Sequence, residues 1–203
     1  MVQQSTTQPV IGNVLRASTV GFVCGTRSQE IVHPSFGAFV RTRHSQMSDI
    51  DVIGLIHGIS IDDDPLVRQI ILANNLNNGV ARDQRENRMV PVEIGVVNIG
   101  FIQYDRVYHN LPPRPPLSLD PVQLCDEDTI VRFTERLDFL RLVLNTPEGP
   151  TEQLLASELL HAADARPEDQ RRAFLVAAGR QLAGTLSHDL PRLQHVLRLI
   201  NPS

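Results

Sequence analysis

The stretch VEIGVVNIGFI, residues 92–102, decides the fold of this chain. Its β-branched and other apolar residues are typical of a strand that is buried in a protein core. Gly95 and Gly100 interrupt the apolar run, and glycines inside a strand pattern mark bulges or sharp bends. A small barrel needs such bends in order to close. This stretch therefore predicts a bent strand in the wall of a closed barrel.

Shorter apolar clusters with the same character precede this stretch, and turn residues separate them. We interpret residues 10–15, 20–24, 38–40 and 52–56 as four further strands. Short strands at this spacing, with few long helical patterns between them, favour a barrel or sandwich over alternating strands and helices.

A proline-rich segment follows at residues 111–121 (LPPRPPLSLDP), and a helical pattern comes after it. Acidic residues at 126–128 suit a helix N-terminus, where the helix dipole favours negative charge. One apolar stripe at spacings of three and four then predicts a single helix that ends at Asn145. Its members are Ile130, Phe133, Leu137, Leu140 and Leu144. Three more helices are expected to begin at Thr151, Pro167 and Asp189.

The predicted fold class is therefore α+β, with a small closed N-terminal β-barrel followed by a bundle of about four helices. We expect a flexible N-terminus at residues 1–9 and the barrel at 10–111. Residues 112–121 form a linker, or a strap laid across the barrel, and 122–203 form the helical domain. The last two helices carry a small-residue face, which serves either as core packing or as an oligomer or partner interface.

The composition of the chain excludes several chemistries. All 19 basic residues of the 203-residue chain are Arg, so neither a Schiff-base lysine nor a Walker A lysine exists. A net charge of -4 argues against a surface covered in nucleic-acid-binding charge. The polar N-terminus is unlike a signal peptide, and no apolar run is long enough to suggest a membrane span. We expect a cytoplasmic protein without membrane contact.

The candidate catalytic and metal-binding residues do not form a recognisable constellation. Cys24 and Cys125 lie far apart, and the seven histidines are scattered without metal-ligand spacing. The pair His188–Asp189 has no nucleophile elbow beside it. The triplet Asp62–Asp64 is interpreted as a turn or helix cap, with a hard-cation site as the alternative. We therefore predict no catalytic residue, no cofactor and no metal.

Arginines in two segments are the candidate contact residues for a phosphate or an acidic partner, because guanidinium groups match such oxygen pairs. They are Arg41 and Arg43 at the end of a predicted strand, and Arg82, Arg85 and Arg88 in a charged stretch. The alternative is a solvated loop that Asp83 and Glu86 already balance.

The N-terminal residues resemble the HAS barrel, which begins HerA-type DNA translocase ATPases and ATP synthase catalytic-type subunits. The resemblance covers about the first 120 residues. It rests on Ile11-Gly12-Asn13-Val14, Ala17-Ser18-Thr19, Ser35 to Val40, Asp51 to Ile56, and Val92 to Val97 followed by the prolines at 112–116.

This resemblance implies a barrel without its motor, because about 80 predicted helical residues stand where the ATPase core is expected. In HerA-type translocases the barrels form a ring collar that docks a nuclease. The chain is thus expected to be a non-catalytic adaptor or collar subunit in DNA processing, repair or defence, with an ATPase motor or nuclease as partner. A homo-oligomeric ring is also implied, and the five arginines named above are the candidates for weak contact with the DNA backbone.

Two other classes of function remain open from the sequence. One is a nucleic-acid-binding barrel of OB type that uses the five arginines, although low aromatic content weakens binding by base stacking. The other is a small-molecule-binding or enzymatic barrel.

Overall fold

Six strands close into an antiparallel barrel in the computed structural model, which describes residues 9–27, 34–43, 49–61, 91–147 and 149–201. The described strands are β1 Val10–Ala17, β2 Gly21–Arg27, β3 Phe39–Arg43, β4 Ile50–Ile61, β5 Pro91–Gln103, β6 Arg106–Tyr108 and β7 Pro121–Leu124. Around the barrel the order is β2-β1-β7-β3-β4-β5, and β5 pairs back to β2. The predicted closed barrel is confirmed, as are the five predicted strand segments.

The last strand of the barrel comes after the proline-rich segment. β7 pairs with β1 on one side and with β3 on the other, so it completes the closure. β6 adds a short hairpin to the end of β5. Neither β6 nor β7 was predicted, because three or four residues are too few to show a period. The barrel therefore draws on residues from both sides of the proline-rich segment.

Glycines mark the irregular positions of the barrel, as the sequence predicts. The strand register shifts beside Gly12 in β1, and beside Gly54 and Gly58 in β4. At Gly12, where φ is 155°, a Cβ atom would lie 2.6 Å from the Sγ of Cys24 and would also meet the carbonyl of Gly25. Gly12 thus allows β1 to approach β2 closely.

The barrel carries apolar side chains on its inner face and on part of its outer face. Inward residues of the strands, among them Val14, Phe22 and Ile94, form one buried cluster. Outward residues of the β3–β4–β5 wall, among them Phe39 and Leu55, pack in a larger cluster with the helices. The wall is buried on both faces at this point, which explains its nearly continuous apolar sequence.

Five helices lie in the described residues after the barrel. They are α1 Glu127–Phe133, α2 Leu140–Leu144, α3 Thr151–Asp164, α4 Glu168–Thr185 and α5 Leu190–Ile200. α2 contacts β5, α3 contacts α2, α4 and α5, and α4 contacts α5. The predicted starts near residues 126, 151, 167 and 189 are confirmed within one residue. Asp126 and Asp189 cap α1 and α5 through their carboxylates.

The single helix predicted between 126 and 145 is wrong, since the chain forms α1 and α2 there. Arg166 explains where α1 ends. Its Nη2 group donates to Thr134 Oγ1 at 2.7 Å and lies 3.3 and 3.4 Å from the carbonyls of Thr134 and Val131. The guanidinium thus takes carbonyl oxygens that another helical turn would need. The stripe residues Phe133 and Leu140, on either side of the break, are nevertheless buried in the same core cluster.

Candidate functional site

The structure places Arg41 and Arg43 at alternate positions of β3, so both point outward from the barrel. Arg43 Nε and Nη2 donate to the two carboxylate oxygens of Asp51 at 2.7 and 3.0 Å, and this contact raises the pKa of Arg43. Arg41 Nη1 lies 3.9 Å from Asp126 Oδ2. Both predicted contact residues therefore face a carboxylate, which weakens their attraction for a phosphate.

The other three predicted contact residues, Arg82, Arg85 and Arg88, lie outside the described residues, as does the acidic triplet Asp62–Asp64. Within the described ranges no three His, Cys, Asp or Glu side chains are grouped so that they could hold a metal ion. Both cysteines are buried, and burial raises the pKa of the Cys24 thiol to about 12. A thiol with that pKa is almost entirely protonated at neutral pH and is a poor nucleophile.

The outer surface near β1 presents exposed apolar side chains. We call the surface formed by Val10, Leu15, Val20 and Leu119 the open wall. Val20 is 57% exposed, Leu15 is 47% exposed and Leu119 is 76% exposed. The opposite wall, formed by β3, β4 and β5, is covered by helices. The side of the barrel away from the helices therefore exposes several apolar side chains, although exposed apolar residues also occur elsewhere, such as Ile61 in β4 and Leu190 in α5.

Leu119 lies in a tight turn at the end of the proline-rich segment. The carbonyl of Leu117 accepts from the amide of Asp120 at 3.1 Å, and Leu119 has a φ of 72°. That φ is the feature of a type II turn, where glycine is the favoured residue. A large exposed side chain in a strained backbone position is a reason to look for a function.

Hydrogen bonds to β1 hold this turn in place. The amide of Leu119 donates to Val14 O at 2.8 Å, and Asn13 Nδ2 donates to Leu119 O at 3.0 Å. Ser118 Oγ donates to Leu15 O at 3.3 Å. The backbone of Leu119 is thereby fixed beside Leu15, so the turn presents its leucine from a rigid support.

A pocket of about 730 Å³ lies on the outer surface and adjoins the open wall at Val20. One wall is formed by β2, β4 and β5, and the other by Leu111, Leu142 and the residues just after α2. Such a volume is within the usual range of small-molecule sites. The pocket residues include His57 and Asn98, which stand out in the sequence as polar residues inside apolar strands.

Sequence reasoning missed both the open wall and the pocket. The signal for the first is the leucine in a turn-like sequence, LSLD, where Ser and Asp are turn formers and Leu is not. The signal for the second is the polar residue within each of β4 and β5. Neither signal alone distinguishes a surface from a buried packing site.

The chain matches no protein-family model, and no curated protein matches it. Among the described residues, no helix has the length and apolar character needed to cross a lipid bilayer.

Proposed function

We propose that this protein is a non-catalytic adaptor or collar subunit that docks a HerA-type ATPase to a nuclease or another effector in DNA processing, repair or defence. In this proposal the barrel is of the HAS type and the C-terminal helices form a bundle that packs against its β3–β4–β5 wall. The sequence resemblance supports the identity of the partner. The closed barrel is the fold on which that resemblance depends.

The open wall is the observation that carries the docking role. Protein interfaces bury a central apolar cluster within a polar rim. Val10, Leu15, Val20 and Leu119 supply exposed apolar groups on the side of the barrel that the helices leave uncovered. Exposed apolar side chains that lie beside each other, as Leu15 and Leu119 do, support a surface that binds another protein.

Leu119 strengthens this argument because its exposure comes at a conformational cost. A non-glycine residue in the left-handed region costs about 1–2 kcal/mol. The exposed side chain gains little from packing within the chain. Contact with a partner would offset that cost, so Leu119 is the proposed anchor of the interface.

Affinity capture of the full chain from its native cells tests the proposal. Captured proteins are identified by mass spectrometry, and we expect a HerA-type ATPase or a nuclease. The variant Leu119→Gly is expected to capture no ATPase or nuclease while remaining folded. Relief of the backbone strain stabilises the fold by about 1 kcal/mol, and the greater chain entropy of unfolded glycine destabilises it by about the same amount, so the two effects cancel.

The matched control is Leu190→Gln, which changes a similarly exposed leucine at the start of α5. It is expected to retain the captured partner. Recovery of neither an ATPase nor a nuclease would overturn the proposed function, and equal loss in both variants would overturn the role of the open wall. Sedimentation of the purified chain tests the ring-shaped oligomer that the resemblance implies.

A further inference from the structure

We propose that the free edge of β6 binds an extended, acidic segment of a partner protein, which adds to the sheet as a further strand. The site is separate from the open wall, and the proposal does not depend on a HerA-type partner. Each of the six barrel strands pairs with a strand on both sides. β6 pairs with β5 on one side and with no strand of the described residues on the other. Such an edge is a template for pairing with another chain.

The register of the hairpin shows which backbone groups of β6 are free. Residues 104–105 form a two-residue turn with φ values of 47° and 61°, which are typical of a type I′ hairpin. Arg106 therefore bonds to Gln103 across the turn, and the next pair, Val107 and Ile102, is not hydrogen-bonded. The N–H and C=O of Val107 thus point away from β5, and no backbone group of the described residues bonds to them. They can form a pair of main-chain bonds with an added strand.

An open groove runs along this edge. Val107 packs against the cluster that contains the helices, whereas its neighbour Tyr108 stacks on Phe101 with ring centroids 4.8 Å apart. Val107 and Tyr108 lie on opposite faces of β6, yet both line the groove. A groove that both faces reach follows the edge between them. Its other wall is formed by the end of α1 and the start of α2, so the added strand would lie between β6 and these helices.

The charges in the groove favour an acidic segment. Arg132 Nη1 lies 3.2 Å from Asp105 Oδ1, and Arg136 Nη2 pairs with Asp138 Oδ2. Two of the three arginines that line the groove are therefore already neutralised. The third, Arg141 at the start of α2, is exposed and forms no ion pair with any residue that the structure describes. A carboxylate on the added strand can form a charge-assisted hydrogen bond with Arg141.

Glu135 is the remaining acidic residue that lines the groove. Its charge acts on the guanidinium of Arg166: burial lowers the pKa of Arg166, and the negative charge of Glu135 opposes that shift. Glu135 thus serves a cation within the fold, which leaves Arg141 as the charge that an acidic segment would pair with.

The turn of the hairpin restricts which chains can use the edge. Asp105 and Arg106 are exposed at the tip of the hairpin. Charged residues at an edge discourage pairing with arbitrary strands. The edge is therefore expected to select a segment by its charge pattern rather than to aggregate.

Selection from a display library of random eight-residue peptides, with the purified full chain as target, tests the proposal. We expect the selected peptides to share a Glu or Asp at one position. Calorimetry with a synthetic copy of one such peptide measures the affinity. The bound peptide should also slow hydrogen exchange of the Val107 amide, which a peptide held by side chains alone would not do.

The variant Val107→Pro removes the outward amide while leaving the bonds between β5 and β6 in place. It is expected to weaken peptide binding about 10-fold, because both main-chain bonds to the added strand depend on this position. The matched control is Val107→Thr, which keeps the amide and the β-branched shape and should bind normally. Thermal unfolding shows whether each variant is folded, and the exchange measurement on the wild type needs no variant.

Arg141→Gln tests the charge preference. It should weaken binding of the acidic peptide about 10-fold and leave unchanged the binding of a peptide in which Gln replaces the acidic residue. Arg180→Gln, at an exposed α4 position, is the control for the loss of one positive charge.

Failure to select any peptide, unchanged exchange of the Val107 amide, or equal binding by folded Val107→Pro and Val107→Thr would each overturn the proposal. Equal effects of Arg141→Gln and Arg180→Gln would also overturn it. Sedimentation of the purified chain examines the other possible occupant of the edge. A dimer that Val107→Pro dissociates would assign the edge to a second copy of this chain, and the proposed partner segment would be wrong.

Discussion

Glu158 should make the stability of this protein fall as pH rises. The residue lies on the buried face of α3 and is 0% exposed. Within the described residues, neither of its carboxylate oxygens has a hydrogen-bond partner. Burial is the cause that raises the pKa of Glu158 well above its usual value of 4.5. The folded protein therefore keeps this carboxyl protonated at a pH where the unfolded chain releases the proton.

The size of the effect follows from this difference in bound protons. Between pH 4.5 and the raised pKa of the folded state, folding requires the uptake of one proton at Glu158. Each pH unit in that window then lowers the free energy of unfolding by about 1.4 kcal/mol. The stabilisation is fully present below pH 4.5 and is lost as pH rises towards the folded-state pKa.

Urea unfolding of the wild type and Glu158→Gln at several pH values from 5 to 8 measures this effect. Gln does not titrate, so below the folded-state pKa of Glu158 the stability difference between the two proteins should change in favour of the variant by about 1.4 kcal/mol per pH unit. Any constant cost of burying the amide cancels in that slope. Gln170→Ala, at an exposed α4 position and without a titratable group, is the control and should show a constant difference from the wild type.

Parallel stability curves for the wild type and Glu158→Gln would refute this reasoning. They would mean that Glu158 binds the same number of protons in both states, and hence that the carboxylate is ionised in the fold. An ionised carboxylate at this depth would require a cationic partner or a hydrogen-bond donor, contrary to the observed surroundings of Glu158.

Two further predictions concern buried groups. Arg166→Met should destabilise the protein by about 3 kcal/mol in urea unfolding, because it leaves carbonyls of α1 and α3 without their donor. The control Arg172→Met, at an exposed α4 position, should lower the free energy of unfolding by less than about 0.5 kcal/mol. Equal effects of the two substitutions would contradict the role given to Arg166. Cys24 and Cys125 should not react with a disulfide reagent at pH 8 until the protein is unfolded, since burial raises both thiol pKa values; rapid reaction of the native protein would show that the thiols are accessible.

The barrel could be predicted from sequence because its strands combine two strong local signals. Apolar β-branched runs indicate strands, and glycines at positions such as 12, 54 and 58 mark the bends that a closed sheet needs. The strand β7 could not be predicted in the same way. It has four residues, and its place in the barrel depends on pairing with β1 and β3, which are distant in the chain.

The break between α1 and α2 shows a second limit of local patterns. The stripe from Ile130 to Leu144 has helical spacing throughout, yet a residue on another part of the chain, Arg166, binds the carbonyls where α1 ends. Local sequence patterns fail to predict the candidate sites for the same reason. The pairing of Arg43 with Asp51 and the juxtaposition of Gly58 with Gly95 depend on strand register, which no single segment reveals.

The place of β7 also sets the order in which the chain can fold during synthesis. Asn13 bonds to the turn at Leu119 across 106 residues, and β1 pairs with β7 just beyond it. Until β7 emerges from the ribosome, the facing edges of β1 and β3 have no partner strand, and such edges invite pairing with other chains. Long-range closure of this kind slows folding. A truncation before Pro121 would therefore produce an aggregating fragment rather than a smaller barrel.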